Sequence, residues 1–382
     1  MVIKTIHEQS TNLTSAYQIP DLPLPIDIET KAVLKKTKEA ARALGELKGV
    51  ALSMPNQTIL ISTLSLQEAK DSSAIENIIT THDELYRSDV QTQHFTSAAA
   101  KEVHMYALAL RNGFSQVKKT GLLTNNLIKS IQAKLEGNDA GFRSQCGTVL
   151  KNEQTGEIVY TPPQELKQIE AHMQNLERFI NENELCDWDS LVKTAIIHHQ
   201  FESIHPFFDG NGRTGRILNI LYLVKQDLLD TPILYLSRYI NQNKPEYYRL
   251  LQGVRTQGMW EEWIMFLLEG VRQTSYQTIR LIEEIKILML KYKQKMRTEA
   301  PKCYSQDLLN NLFSHPYTKR DFVEKELSIH RNTATKYLEE LVSVGLLTKL
   351  KIGKESFYLN HRLIELLYSA GTLSGGSTPL SP

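Results

Sequence analysis

Residues 205–216 read HPFFDGNGRTGR, and no other stretch of the chain packs so much chemistry into so few positions. The helical run before it delivers His205 at a sharp turn set by Pro206. Gly210 and Gly212 admit backbone conformations closed to other residues and let N–H groups approach a ligand. A helical pattern resumes at once, so the positive end of a helix faces the loop. Arg213 and Arg216, three apart, project from its first turns as two guanidinium forks. Together these parts make an anion cradle. Asp209 would repel an anion on its own but makes sense as a ligand for Mg²⁺, which bridges carboxylate and phosphate oxygens. His205 beside it is a natural general base, since an unperturbed imidazole has a pKa of about 6.5. The spacing is not that of a Walker loop, which needs Lys-Ser/Thr after its second glycine, nor of a dinucleotide fingerprint.

Around this loop the sequence is that of an ordinary globular protein. It has 382 residues, 41% hydrophobic and 23% charged. At about 150 residues per domain, that length suggests two or three domains. Lys plus Arg number 44 against 43 for Asp plus Glu, a net charge of +1, which excludes a generally basic nucleic-acid coat protein. Cys146, Cys186 and Cys303 are odd in number and far apart, which argues against a disulfide framework and fits a reducing cytoplasm. The first residues, MVIKTIHEQSTNL, lack the apolar core of a signal peptide. The longest apolar run, near 217–224, is far short of the ~20 residues of a membrane helix. No membrane partner is expected, and the cytoplasm is the expected location.

Periodicity predicts a mainly α protein. Residues 1–25, polar and then proline-rich, read as an extended arm. Helical patterns are expected over 31–47, 63–79, 97–113, 124–135, 164–182, 188–203 and 213–229. Two β-prone runs at 148–150 and 158–160 flank a polar turn and predict a hairpin. A long helical pattern over 261–295 looks like a connector. Residues 305–360 read as three short helices and two strands around Gly353, and the end of the chain is low in complexity. The expected division is an N-terminal helical region (1–95), a core with the connecting helix (96–295), a small C-terminal domain (300–365) and a disordered tail (366–382).

HPFFDGNGRTGR resembles the active-site signature of the Fic family, His-x-Phe-x-Asp/Glu-Gly-Asn-Gly-Arg-x-x-Arg, with every fixed position filled. The resemblance implies a Fic-type helical core with a small β-hairpin flap. It also implies transfer of AMP from ATP to a Ser, Thr or Tyr hydroxyl of a target protein, and of the protein itself, with release of pyrophosphate. By that resemblance His205, Asn211 and Arg213 are catalytic, Phe207 holds the loop from inside, and Asp209 binds Mg²⁺. Gly210, Asn211, Gly212, Arg213, Thr214, Gly215 and Arg216 belong to the nucleotide site. A glycine at 212 favours nucleotidyl transfer, whereas kinase-like relatives with lysine there bind ATP in a flipped orientation.

Residues 72–77, SSAIEN, resemble the family's inhibitory motif, with Ser72, Glu76 and Asn77 at its key positions. Ser72 and Glu76 are four apart and share a helix face. The resemblance implies that Glu76 reaches Arg216 and crowds the productive ATP pose; in some relatives this glutamate also serves removal of AMP from targets. The hairpin near Asn152 and Tyr160 resembles the flap along which an extended target segment docks by strand pairing. Tyr247 and Tyr248 match a region that lines the adenine pocket in relatives, or are core packing. His198 and His199 lack metal-ligand spacing and read as core or surface histidines.

Residues 305–360 look like a winged helix-turn-helix. His330, Arg331, Asn332, Thr333 and Lys336 would start its recognition helix, with Lys349, Lys351 and Lys354 on the wing. DNA contact through 330–354 is one reading. An interaction or homodimerisation module is the other, since Glu324, Glu326, Glu339, Glu340 and Glu355 dilute the basic signal. A nucleotide-sensing DNA-binding regulator is therefore one alternative to the transferase, and a de-AMPylating enzyme on the same site, implied by the resemblance, is the other.

Overall fold

The computed structural model describes residues 17–81, 84–86, 95, 97–152, 155–352 and 355–372. Residues 17–30 run extended along the body. Leu22, Leu24 and Ile28 are buried, and Asn175 accepts from the Leu22 N–H while donating to its carbonyl.

Helix α1 (Lys31–Leu52) starts at Thr30, whose hydroxyl accepts from the Val33 N–H, and buries the stripe Val33, Ala40, Leu44 and Leu47. Asn56 caps α2 (Gln57–Ile75) and Ser97 caps α3 (Ala98–Thr120). Thr124 caps α4 (Asn125–Glu136), which ends at a left-handed Gly137. The end of α2 explains the residue types at 76 and 77. Glu76 is the C-cap, and Asn77 takes the left-handed conformation at φ 62°. Asn77 N–H donates to the Ala74 carbonyl and Ile78 N–H to that of Ser73, the two bonds of a Schellman motif. Asparagine tolerates that backbone better than most side chains do.

The expected hairpin is present as β1 (Leu150–Lys151) and β2 (Ile158–Tyr160), paired antiparallel with Leu150 opposite Tyr160. Helix α5 (Leu166–Asn181) follows. Then come α6 (Ser190–Ile204) and α7 (Asn211–Lys225), whose residues 191–204 and 213–224 are buried on all sides. That is why neither shows the one-sided patterning of a surface helix. Helices α8 (Leu236–Gln242) and α9 (Lys244–Gln257) lead to α10 (Trp260–Glu299), whose 40 residues span about 60 Å at 1.5 Å each.

The C-terminal unit comprises α11 (Gln306–Ser314), β3 (Tyr317–Lys319), α12 (Arg320–Leu327), α13 (Arg331–Ser343), β4 (Thr348–Ile352), β5 (Glu355–Leu359) and α14 (His361–Thr372). Its three strands form an antiparallel sheet in the order β3-β5-β4. Tyr292 on α10 anchors it, donating its hydroxyl proton within reach of the Leu346 carbonyl and Asn360 Oδ1. Tyr317 of β3 stacks on Tyr86, so this unit also touches the N-terminal region. His330, Arg331, Asn332 and Lys336 are exposed at the start of α13. Lys349 is paired to Glu339, which also accepts from Tyr358. Lys354 and residues 373–382 lie outside the described residues. The expected disorder from 366 is not what 366–372 show: they continue α14, because Leu363, Ile364 and Leu367 give that helix an apolar face to bury.

Glu68 fixes α2 to its neighbours. It is 1% exposed, accepts from Tyr106 on α3 at 3.2 Å, and accepts from both the hydroxyl and the N–H of Ser237 on α8. Burial pushes its carboxyl up to about 7, against the lowering effect of Ser237. A raised folded pKa means that the folded protein holds a proton which the unfolded chain releases near 4.5, so Glu68 loses its stabilising contribution as pH rises through 7. Glu68→Gln, which mimics the protonated form, should therefore gain stability relative to the parent between pH 5 and pH 8. At 1.36 kcal/mol per pKa unit the gain is on the order of 3 kcal/mol at most. Urea midpoints of both proteins at the two pH values check this; a constant difference would contradict it.

Candidate active site

Helix α6 ends at His205, whose N–H donates to the Phe201 carbonyl and whose backbone is left-handed at φ 49°, ψ 58°. The loop then runs to Gly210, left-handed at φ 75°, which caps α7. Phe207 is fully enclosed between Phe142 and Phe201, with ring centroids at 5.4 and 6.4 Å. Asn211 closes the loop on itself: its Oδ1 accepts from the Phe207 N–H and its Nδ2 donates to the Phe207 carbonyl, both at 2.8 Å. Asp209 is exposed at the rim, and its carbonyl accepts from Gln132 on α4 at 3.2 Å.

These elements surround a cleft of about 440 Å³ lined by His205, Asp209, Gly210, Asn211, Gly212, Arg213 and Arg216 from the loop, and by Glu76, Tyr247 and Tyr248 from elsewhere. Both arginines are held by carboxylates. Arg213 pairs with Glu102 of α3 and Glu136 of α4, each at 2.9 Å. Arg216 is 3% exposed; its Nη2 donates to Glu76 at 2.9 Å and to the Ser72 carbonyl at 3.0 Å, and its Nε donates to the Ser72 hydroxyl at 2.7 Å. Burial opposes the charge on Arg216, but Glu76, Tyr247 and Glu202 outweigh it and raise its pKa further.

His205 is 6% exposed, and its ring is held by a hydrogen bond to the backbone of Glu202, one helical turn earlier. Burial, then Arg143, then Arg255 push its pKa down to about 3, so the imidazole is neutral and able to accept a proton throughout the physiological range. Glu202, one helical turn behind the loop, is pushed up to about 7 by burial.

The structure gathers most of the expected site residues and relocates some. Thr214 and Gly215, expected in the nucleotide site, do not line the cleft. Each residue turns about 100° around a helix axis, so when 213 and 216 face the cleft, 214 and 215 face inward. A Cβ on Gly215 would lie 3.0 Å from Phe201 and Glu202, so this glycine lets α7 approach α6. Asn211 lines the cleft and braces the loop through Oδ1 and one N–H, which leaves its second Nδ2 hydrogen to donate. Tyr247 turns its hydroxyl to His198 at 2.9 Å and is 1% exposed, which leaves Tyr248 as the more accessible ring. His198 and His199 are both fully buried against Trp263. Asn77 stands just outside, accepting from Lys244 at 3.0 Å and lining a second groove of about 660 Å³ that shares Tyr248 and Leu251 with the cleft. Glu102, Glu136, Arg143 and Glu202 belong to the site and carry no motif in the sequence.

No group of three metal-ligating side chains occurs among the described residues. A magnesium ion needs no such cage when substrate phosphates and water complete its shell, and one carboxylate at the cleft rim, that of Asp209, fits this mode.

The fold is thus a mainly helical one in which a buried two-helix hairpin presents a histidine, a glycine-rich turn and two arginines around one cleft. Three family models match the chain: "Fic/DOC family N-terminal" over 34–115, "Fic/DOC family" over 122–223 and "Protein adenylyltransferase SoFic-like, C-terminal domain" over 288–363. The chain belongs to the Fic family. It is 47% identical over 53 residues to a probable protein adenylyltransferase of Aquifex aeolicus, covering 14% of this chain and 17% of that protein. It is 28% identical over 102 residues to protein adenylyltransferase Fic of Drosophila erecta, covering 27% of this chain and 19% of that protein. The matched segments thus span less than a fifth of these curated relatives. A Fic family protein from Desulfovibrio desulfuricans has the same fold with a TM-score of 0.55 at 19% identity, over 88% of this chain and 97% of that one. A Fic domain containing signaling protein from Bacteroides thetaiotaomicron superposes with a TM-score of 0.51 at 16% identity, over 65% and 97% of the two chains. Among the described residues no helix is long and apolar enough to cross a membrane.

Proposed function

We propose that this protein transfers AMP from ATP to a Ser, Thr or Tyr hydroxyl of a target protein, itself included, and that Glu76 holds the activity low. The observation that carries this reading is the Glu76–Arg216 pair, seated in the same cleft as a neutral His205.

The chemistry follows from the geometry. A target hydroxyl attacks the α-phosphorus as the bond to the β-phosphate oxygen breaks, so the protein gains AMP and pyrophosphate leaves. The neutral His205 takes the hydroxyl proton. N–H groups at the start of α7 and its helix dipole face the developing charge on the phosphate oxygens. Arg213, oriented by Glu102 and Glu136, and Arg216, oriented by Ser72, supply the guanidinium groups for the outer phosphates. Asp209 would hold the magnesium ion, which supplies charge neutralisation on the phosphates. Tyr248 and the adjoining groove offer the aromatic surface and polar edge that suit adenine. Leu150 lines the cleft, which supports docking of an extended target segment along the hairpin edge.

The brake is competitive in character. Glu76 occupies the guanidinium that a terminal phosphate needs and adds a negative charge where phosphates would sit. Incorporation of label from α-labelled ATP, with and without Glu76, tests the reading.

A further inference from the structure

Arg143 stands at the entry to the hairpin and its side chain has no exposed surface. It contacts none of the positions read above as phosphate ligands. Its backbone N–H donates to the Pro206 carbonyl and its Nε to the His205 carbonyl, both at 2.9 Å. Its Nη2 donates to the carbonyl of Pro163, beyond the far strand of the hairpin. One residue therefore grips both carbonyls of the His-Pro turn and ties that turn to the hairpin.

The turn needs such a grip. A non-glycine residue in the left-handed region costs about 1–2 kcal/mol and persists only where its surroundings over-determine it. The bond from His205 N–H to Phe201 fixes one side of the residue, and Arg143 fixes the other. A neutral side chain could make such bonds, so the charge calls for its own account. Burial lowers the Arg143 pKa to about 10 yet leaves it cationic. The groups around His205 are Arg143 before the hairpin, Tyr160 on β2, Arg255 on α9, Glu202 on α6 and Asp209 in the loop. Arg255 lies 3.9 Å over the Tyr160 ring and donates to Ser203 Oγ and the Glu202 carbonyl. Two buried cations thus flank the imidazole.

We propose that Arg143 is a positioning residue of this site: it sets the backbone of His205 so that the imidazole faces the cleft, and it links that setting to the hairpin through Pro163. The inference rests on His205 being the proton acceptor. The positive charge adds to burial in keeping the imidazole neutral, and the planar fork holds its aim. Lysine can replace the first property but not the second.

The test compares Arg143→Lys and Arg143→Gln in a Glu76→Gly background, each checked for a cooperative melt. Both should lose about ten-fold or more in kcat, as expected for a misplaced reacting group, with the Kd for ATP changed by less than about two-fold. The imidazole signals of His205, followed by NMR, should titrate roughly one pH unit higher in Arg143→Gln and stay near the parent value in Arg143→Lys. Unchanged kcat in both variants, or a loss of ATP affinity that matches the loss of kcat, would overturn the proposal. If Arg143→Gln does not fold, Arg143→Lys decides alone through kcat against Kd. If the background protein transfers no AMP, the proposed function has failed, and the titration still reports whether Arg143 governs the state of His205.

Discussion

Glu76→Gly should raise AMP incorporation into protein roughly 10- to 100-fold. The estimate comes from the contact it removes, a charge-assisted hydrogen bond of about 1.5–3 kcal/mol that an incoming phosphate must otherwise displace. The variant leaves the rest of the arginine's setting intact. Ser72 still accepts from Nε through its hydroxyl and from Nη2 through its carbonyl, so Arg216 stays aimed at the cleft. The backbone cost is small. Glu76 is the C-cap of α2, and the Schellman bonds that end the helix belong to residues 73, 74, 77 and 78. Glu76→Gln separates charge from shape: it should give an intermediate gain, because an amide can still accept from Nη2 but repels no phosphate. Equal, low labelling in all three proteins would show that Glu76 is no brake.

His205→Ala, placed in the activated background, should lower transfer by 10²- to 10⁴-fold, the usual contribution of a positioned general base. ATP should bind with near-parental affinity, since the residues read as gripping its phosphates are Arg213 and Arg216, with Asp209 read as the magnesium ligand. Because the His205 pKa lies at about 3 in the folded protein, the activated enzyme should show no loss of its base between pH 8 and pH 5. A His205→Ala variant that still transfers at the activated rate would remove the base from the mechanism.

Much of this site could be read from sequence because its chemistry is nearly contiguous. Twelve residues hold the histidine, the glycines, the acid and both arginines, and a helix start fixes their relative directions. The contacts of Ser72 and Glu76 to Arg216 were expected from the resemblance of residues 72–77 to an inhibitory motif; the i, i+4 spacing by itself puts the two side chains on one helix face. What could not be read is supplied from far along the chain. Glu102 and Glu136 lie 111 and 77 residues from the arginine they hold, and Arg143 lies 62 residues from His205. Each is an ordinary residue of its helix or loop until the fold brings it in. Thr214 and Gly215 show a different effect: they lie inside the motif, and helical rotation turns them away from the cleft. The same limit applies to α6 and α7, where burial on every side erases the periodicity that reveals a surface helix.

In the proposed reaction the His205 loop moves the nucleotidyl group and not the terminal phosphate. Parallel reactions of Glu76→Gly with α-labelled and γ-labelled ATP address it directly, with protein-bound label as the readout. The account predicts label on protein from α-labelled ATP alone, lost again in Glu76→Gly/His205→Ala. Label transferred from γ-labelled ATP would contradict it.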